Sequence, residues 1–174
     1  MAEIKPFPTQ QAAQVAPKVN TEPLPSALNC LLVPLHGMTL LLPNSAVAEL
    51  VPYVSPTPVA GAPEWFLGVA EWRERRIPVV SFEAATGGRV AVVKSESRLL
   101  VLNTLQGNPK LPYVALVTQA IPRLQVLRES SVTSSNGAGR GGQSVAAYIE
   151  LGGQNVVVPD IDDLEHRLMR LQRS

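Results

Sequence analysis

The sequence has one cysteine, two histidines and no long apolar run, and each shortage removes a class of function. A lone Cys30 has no partner for an intrachain disulfide. Inside Leu28-Asn29-Cys30-Leu31-Leu32-Val33 its thiol is expected to pack as a small core hydrophobe. One Cys and two isolated His offer no ligand pair at a recognised metal spacing, and no cofactor is expected. Pro34, His36 and Gly37 interrupt the most apolar stretch, so nothing approaches the roughly 20 residues a membrane-spanning helix needs. The beginning, with Glu3, Lys5, Pro6 and Pro8, lacks the apolar centre of a signal peptide. A cytoplasmic protein without direct membrane insertion is the expectation. A formal charge of +1 gives no long-range field to gather phosphates, which argues against nucleic acid as a partner.

What is present reads as β structure. At 174 residues the chain can build one ordinary core, or two small subdomains that share one. Residues 1–25 are rich in Pro, Gln and Ala and bury too little to offset their ordering entropy, so a flexible tail is expected ahead of a domain spanning 26–174. Within that domain short apolar runs alternate with Gly, Pro, Asn and Ser, the pattern of an all-β fold. Leu28 to Leu35 and Met38 to Leu42 form a hairpin around His36-Gly37. A short turn or helix at Asn44-Ser45-Ala46 leads into Val47 to Val54, which in an extended form brings Val47, Glu49 and Val51 to one face. After a proline-rich link, Trp65 to Trp72 pairs with Ile77 to Phe82, with Arg73-Glu74-Arg75-Arg76 as the charged turn. Further strands are expected at Arg98 to Asn103, Tyr113 to Val117, Ile121 to Leu127, Ala146 to Leu151 and Asn155 to Val158. Only the end is helical: Asp160 can cap it, and Ile161, Leu164, Leu168 and Leu171 form a stripe that should lie against a sheet.

Catalytic chemistry needs titratable groups converging on one point, and the inventory is thin. His36 sits at a hairpin turn and His166 on the polar face of the last helix. A small β-barrel hydrolase would require Ser144, His166 and Asp162 or Asp163 to meet by folding. Gly137, Gly139 and Gly142 spell G-x-G-x-x-G, but phosphate binding by that motif needs a strand before it and a helix after it. Here a polar approach precedes it and the β-branched Val145 to Leu151 follows, so a surface loop is expected. An OB-like nucleic-acid module would use Trp65 and Phe66 as a stacking platform and Arg75-Arg76 as a clamp. For Trp65, Phe66 and Trp72 packing inside the protein is the ordinary alternative. Glu49 and Arg73 differ, because each is charged in or at the edge of an apolar strand; a solvated face or a functional pair could explain them.

The order of these features resembles the CheW family of chemosensory coupling proteins. The family's V-x-E-[IL] segment matches Val47-Ala48-Glu49-Leu50, and its A-P-x-[FY]-x-x-G-V entry matches Ala62-Pro63-Glu64-Trp65-Phe66-Leu67-Gly68-Val69. Its N-L-R-G and [IV]-P-[IV] elements match Glu71-Trp72-Arg73-Glu74 and Ile77-Pro78-Val79. The resemblance implies two small five-stranded, SH3-like β-barrels sharing a hydrophobic interface, followed by a C-terminal helix, with no active site. It implies a scaffold that couples a methyl-accepting chemoreceptor tip, held in a groove between the barrels, to the regulatory domain of a CheA-type histidine kinase at the far end of one barrel. Carried onto this sequence, the protein-binding residues are Glu49, Val51, Trp65, Phe66, Arg73 and Glu74, with Glu49 and Arg73 forming an ion pair that shapes the surface. The sequence departs from the pattern at Glu71 for Asn, Glu74 for Gly and Ser81 for an acidic residue. Without that glycine, the turn after Arg73 is not expected to use positive φ. These departures make it similar to the ChpC-type members of type IV pilus (twitching) systems.

Overall fold

The computed structural model describes residues 27–134 and 143–172. The expected tail and the glycine motif at 137–142 therefore lie outside the described residues. The first hairpin pairs Leu28–Pro34 (β1) with Thr39–Pro43 (β2), and Gly37 supplies the positive φ its turn requires. A 3-10 turn at Asn44–Ala46 leads to β3 (Val47–Pro52). After the link come β4 (Phe66–Trp72), β5 (Arg75–Val80) and the one-turn helix α1 (Phe82–Ala85). The second half contains β6 (Arg98–Asn103), β7 (Tyr113–Thr118), β8 (Arg123–Leu127), β9 (Val132–Ser134), β10 (Val145–Leu151) and β11 (Gln154–Pro159). The terminal helix is α2 (Ile161–Leu171).

These strands form two sheets. The middle of the chain builds a five-stranded sheet in the order β3-β6-β7-β5-β4, and the two ends build a six-stranded one in the order β8-β1-β2-β11-β10-β9. The sixth strand is β9, a three-residue edge within the polar approach expected to be a loop. Each sheet contains one parallel junction, β5 with β7 and β2 with β11.

Side-chain alternation explains why the sheets curl. On β6, Leu99 and Val101 join Trp72, Ile77 and Val79 in a core belonging to the five-stranded sheet alone. Leu100 and Leu102, pointing the other way, join Val33, Leu40, Leu42 and Val80 in a core shared by both sheets. The six-stranded sheet has its own core of Cys30, Leu32, Leu41, Leu127, Leu151 and Val156. A sheet buried on both faces with no further layer must wrap around one of its own cores, which gives the two barrel-like subdomains and the common interface expected from the resemblance.

Helix α2 seals the shared core with Ile161, Leu164 and Leu168. Asp160 caps it, its side chain accepting from the Asp163 N–H at 2.9 Å. Glu165 on the same helix is 2% exposed, and its carboxylate accepts from the backbone N–H groups of Leu105 and Gln106 in the β6–β7 loop. Among the described residues no helix is long and apolar enough to cross a membrane.

Candidate functional site

Glu49 stands on β3, one edge of the five-stranded sheet, and Arg73 follows β4, the opposite edge. The two strands do not pair with each other, since β3 pairs with β6 and β4 with β5. Curling brings the edges together, and the Glu49 carboxylate bridges them. It accepts from Trp72 Nε1 at 2.8 Å and meets the Arg73 guanidinium at 3.0 Å. Below this bridge the link after β3 runs beside β4, where Thr57 and Val69 exchange backbone hydrogen bonds of 2.8 and 2.9 Å.

A bulge on β3 puts Glu49 where it is. The register shifts between Val47 and Glu49, so the simple alternation expected from the sequence fails at Val47. Val47 packs with Leu50 on the shared core, whereas Val51 packs on the five-stranded sheet's own core, where Trp72 also lies. Glu49 and Val51 keep a common side, and Val47 leaves it.

The turn after Arg73 also corrects an expectation. Only Arg73 and Glu74 form it, while Arg75 and Arg76 belong to β5. Arg73 has φ 47° and Glu74 φ 61°, so the positive φ of a tight two-residue hairpin is retained without glycine. The pairing of Trp72 with Arg75 leaves two residues to reverse a twisted chain, which requires a left-handed backbone at both. Arg73 is fixed on its other side by the Trp72 ring, 4.8 Å from the guanidinium carbon, and Trp72 rests edge-on against Tyr113. The result is a solvent-facing tip bearing Arg73 and Glu74, with Val51 half-buried on the same subdomain.

Trp65 and Phe66 lie elsewhere. Both pack against the shared core, edge to face at 6.3 Å, and the guanidinium of Arg167 covers Trp65 at 4.5 Å. The structure thus joins Glu49, Trp72, Arg73 and Glu74, and separates Trp65 and Phe66 from them. Set edge to face, with Trp65 capped by Arg167, the two rings do not form one flat platform for bases.

The residues of the hydrolase alternative separate into two clusters. Ser144 Oγ donates to Asp163 Oδ2 at 2.8 Å and accepts from Arg167 at 2.8 Å. His166 instead bonds the Asp162 backbone carbonyl, and its ring nitrogens meet Gln106. The imidazole that a Ser-His-Asp arrangement requires is therefore not at Ser144, whose side-chain partners are a carboxylate and a guanidinium. His36 uses its backbone N–H to donate to Glu83 Oε1 at 2.9 Å. Among the described residues no group of three or more His, Cys, Asp or Glu could hold a metal ion.

A row of apolar side chains went unnoticed in the sequence. On β8, Leu124 is 65% and Val126 43% exposed, and Leu124 stands in register opposite Leu31 of β1. Leu31, Val47 and Leu50 lie half-buried at the rim of the shared core. The alternation Arg123-Leu124-Gln125-Val126 does place both apolar residues on one face, but nothing local says that this face is open to solvent.

Residues 29–168 match the model of the CheW-like domain family. Comparison with curated proteins gives no match. Among solved structures, the chain is similar to the crystal structure of the scaffolding protein TtCheW from Thermoanaerobacter tengcongensis, with a TM-score of 0.63 and 19% sequence identity over 76% of this chain and 88% of that one.

Proposed function

Because the chain belongs to the CheW-like domain family, we propose that it is a non-enzymatic cytoplasmic adaptor, which couples a methyl-accepting chemoreceptor tip to the regulatory domain of a CheA-type histidine kinase. The observation that carries this reading is the Glu49–Trp72–Arg73 bridge, because it fixes a charged, strained tip on the end of one subdomain and serves no chemistry there. The tip with Glu49, Val51, Arg73 and Glu74 is the kinase-facing surface. Trp65 and Phe66 act from behind it, as packing that sets how the two subdomains meet. The receptor tip occupies the apolar row of Leu124 and Val126 with the rim of the shared core, a surface suited to the packed face of a helical hairpin.

The mechanism is geometry: two partners are held at a fixed distance and angle, so a conformational change in one reaches the other. Interfaces of this size bind modestly one at a time, and an array multiplies them. The departures at Glu71, Glu74 and Ser81 favour a ChpC-type adaptor of a type IV pilus (twitching) pathway over a flagellar one.

The test is a titration of the full chain with the cognate kinase regulatory domain and with a receptor-tip fragment. Arg73→Glu should weaken kinase binding about tenfold or more and leave receptor binding intact; Leu124→Glu should do the reverse. Arg73→Glu faces Glu49 across the seam, so its thermal melt is recorded alongside. Equal kinase affinity for Arg73→Glu and the parent removes the tip from the site, and binding of neither partner by the parent ends the reading.

A further inference from the structure

A groove of about 640 Å³ lies between α2, the β4–β5 hairpin and the link at residues 59–62. It is formed differently from the surfaces described above. One wall is the last turn of α2, where Leu171 is half-buried above the buried Leu168; the other is the outer face of the hairpin, where Val69 stands in register opposite Pro78. Phe66 forms part of the lining, and Val59 at the lip is 49% exposed. Apolar walls left open to water mark a place where another apolar surface sits.

The charge at the rim narrows the choice of occupant. Arg76 is the one charged side chain in the lining. Glu71 is its cross-strand partner in register, yet Arg76 forms no ion pair with it or with any other described residue. A carboxylate entering between apolar walls would gain more from this guanidinium than it would in open water, and an ammonium would be repelled. A trough with a helix along one side and a cation at its edge fits an amphipathic helix laid against α2.

We infer that this groove docks an amphipathic helical segment of a partner protein, its apolar face on Leu171, Val69 and Phe66 and one of its carboxylates on Arg76. This is a third surface, independent of the Glu49–Arg73 tip and of the β8 row.

The experiment uses the full chain and three end-capped synthetic helices that share one leucine face and differ at one position on it: Glu, Gln or Lys. Labelled peptide is titrated and its anisotropy read. The Glu helix is expected to bind about fivefold tighter than the Gln helix and tighter still than the Lys helix. Arg76→Gln should abolish the preference, Arg76→Glu should invert it towards Lys, and Leu171→Asp should abolish binding of all three. The two arginine variants change an exposed side chain, so they report even if Leu171→Asp melts early. Equal affinities for the three helices, a preference that survives Arg76→Gln, or no binding at all would overturn the inference. So would a concentration-dependent dimer that Leu171→Asp dissociates, because a second copy would then be the occupant. No kinase or receptor enters the assay, so its failure is separable from failure of the adaptor reading.

Discussion

The indole N–H of Trp72 on β4 donates to the carboxylate of Glu49 on β3 at 2.8 Å, although the two strands are the opposite edges of one sheet. The bond therefore latches the seam of a curled sheet that has no β3–β4 ladder to close it. Arg73, 3.0 Å from the same carboxylate, joins the latch from the turn. Its side chain is 66% exposed and that of Glu49 37%, so the ion pair alone contributes little, on the order of 0–1 kcal/mol. The buried indole is the stronger term, since Trp72 is only 8% exposed and its N–H would otherwise lack a partner.

Replacing Glu49 separates the two terms. Glu49→Gln keeps an acceptor for the indole and loses the ion pair, so stability should fall by less than about 1 kcal/mol in urea unfolding. Glu49→Ala removes both and should cost about 1–3 kcal/mol. Equal losses for the two variants would show that the indole bond does not hold the seam.

Backbone strain predicts a pair of opposite effects at glycine. Glu74 holds φ 61° with a β-carbon, so Glu74→Gly should raise stability by about 0.5–1 kcal/mol, with a higher melting temperature. Gly68 has φ 133°, and a Cβ there would lie 2.1 Å from the Thr57 carbonyl oxygen, in the bridge that holds the link to β4. Gly68→Ala should cost more than about 2 kcal/mol. If Glu74→Gly lowers the melting temperature, the turn is held by side-chain contacts that outweigh its strain.

Much of this was legible in the sequence, because period and punctuation are local. The hairpin around His36-Gly37, the strands of both halves and the stripe of α2 follow from alternation, Gly, Pro and a capping Asp160. The Glu49–Arg73 pairing was legible only through the resemblance, since the residues come from different strands with the link between them. What escaped depends on tertiary neighbours. The β3 bulge is set by pairing with β6, and the left-handed Glu74 by the register of β4 and β5. The burial of Glu165 has no local signal, because its reason, two orphan N–H groups at Leu105 and Gln106, arrives from a loop far away in sequence. The open face of β8 was missed because exposure belongs to the arrangement of the two sheets and not to the strand.

Cys30 carries a pH dependence. The residue is 2% exposed, and desolvation by burial raises its thiol pKa, so the native state holds the proton more tightly than the unfolded chain does. Its contribution is fully present below the unfolded thiol's range and is lost as pH rises through the folded pKa. Unfolding midpoints should therefore fall more steeply on the alkaline side for the parent than for Cys30→Ala. A thiol reagent should label the native protein at least about tenfold more slowly than the urea-unfolded chain. Rapid native labelling would place the thiol outside the core.

Arg167 ties four elements with one side chain, and that gives the most demanding stability test. Its guanidinium donates to the Ala85 carbonyl at the end of α1 at 2.7 Å and to Ser144 Oγ ahead of β10 at 2.8 Å, while covering Trp65 at the entry to β4. Burial pulls its pKa below the ordinary arginine value, and the nearby Asp163 carboxylate opposes that shift. Both hydrogen bonds leave one nitrogen, Nη1, which a lysine ammonium can imitate, but lysine has no planar guanidinium to stack on the Trp65 ring at the same time. Arg167→Lys should cost about 1.5–3 kcal/mol, compared with about 1 kcal/mol for Ser144→Ala. In a double-mutant cycle the two should couple by at least about 0.5 kcal/mol, because they share a hydrogen bond and the Asp163 carboxylate. Additive losses would mean that Arg167 acts through Trp65 and Ala85 alone, and the Ser144 hydroxyl would then be anchored by Asp163 without its help.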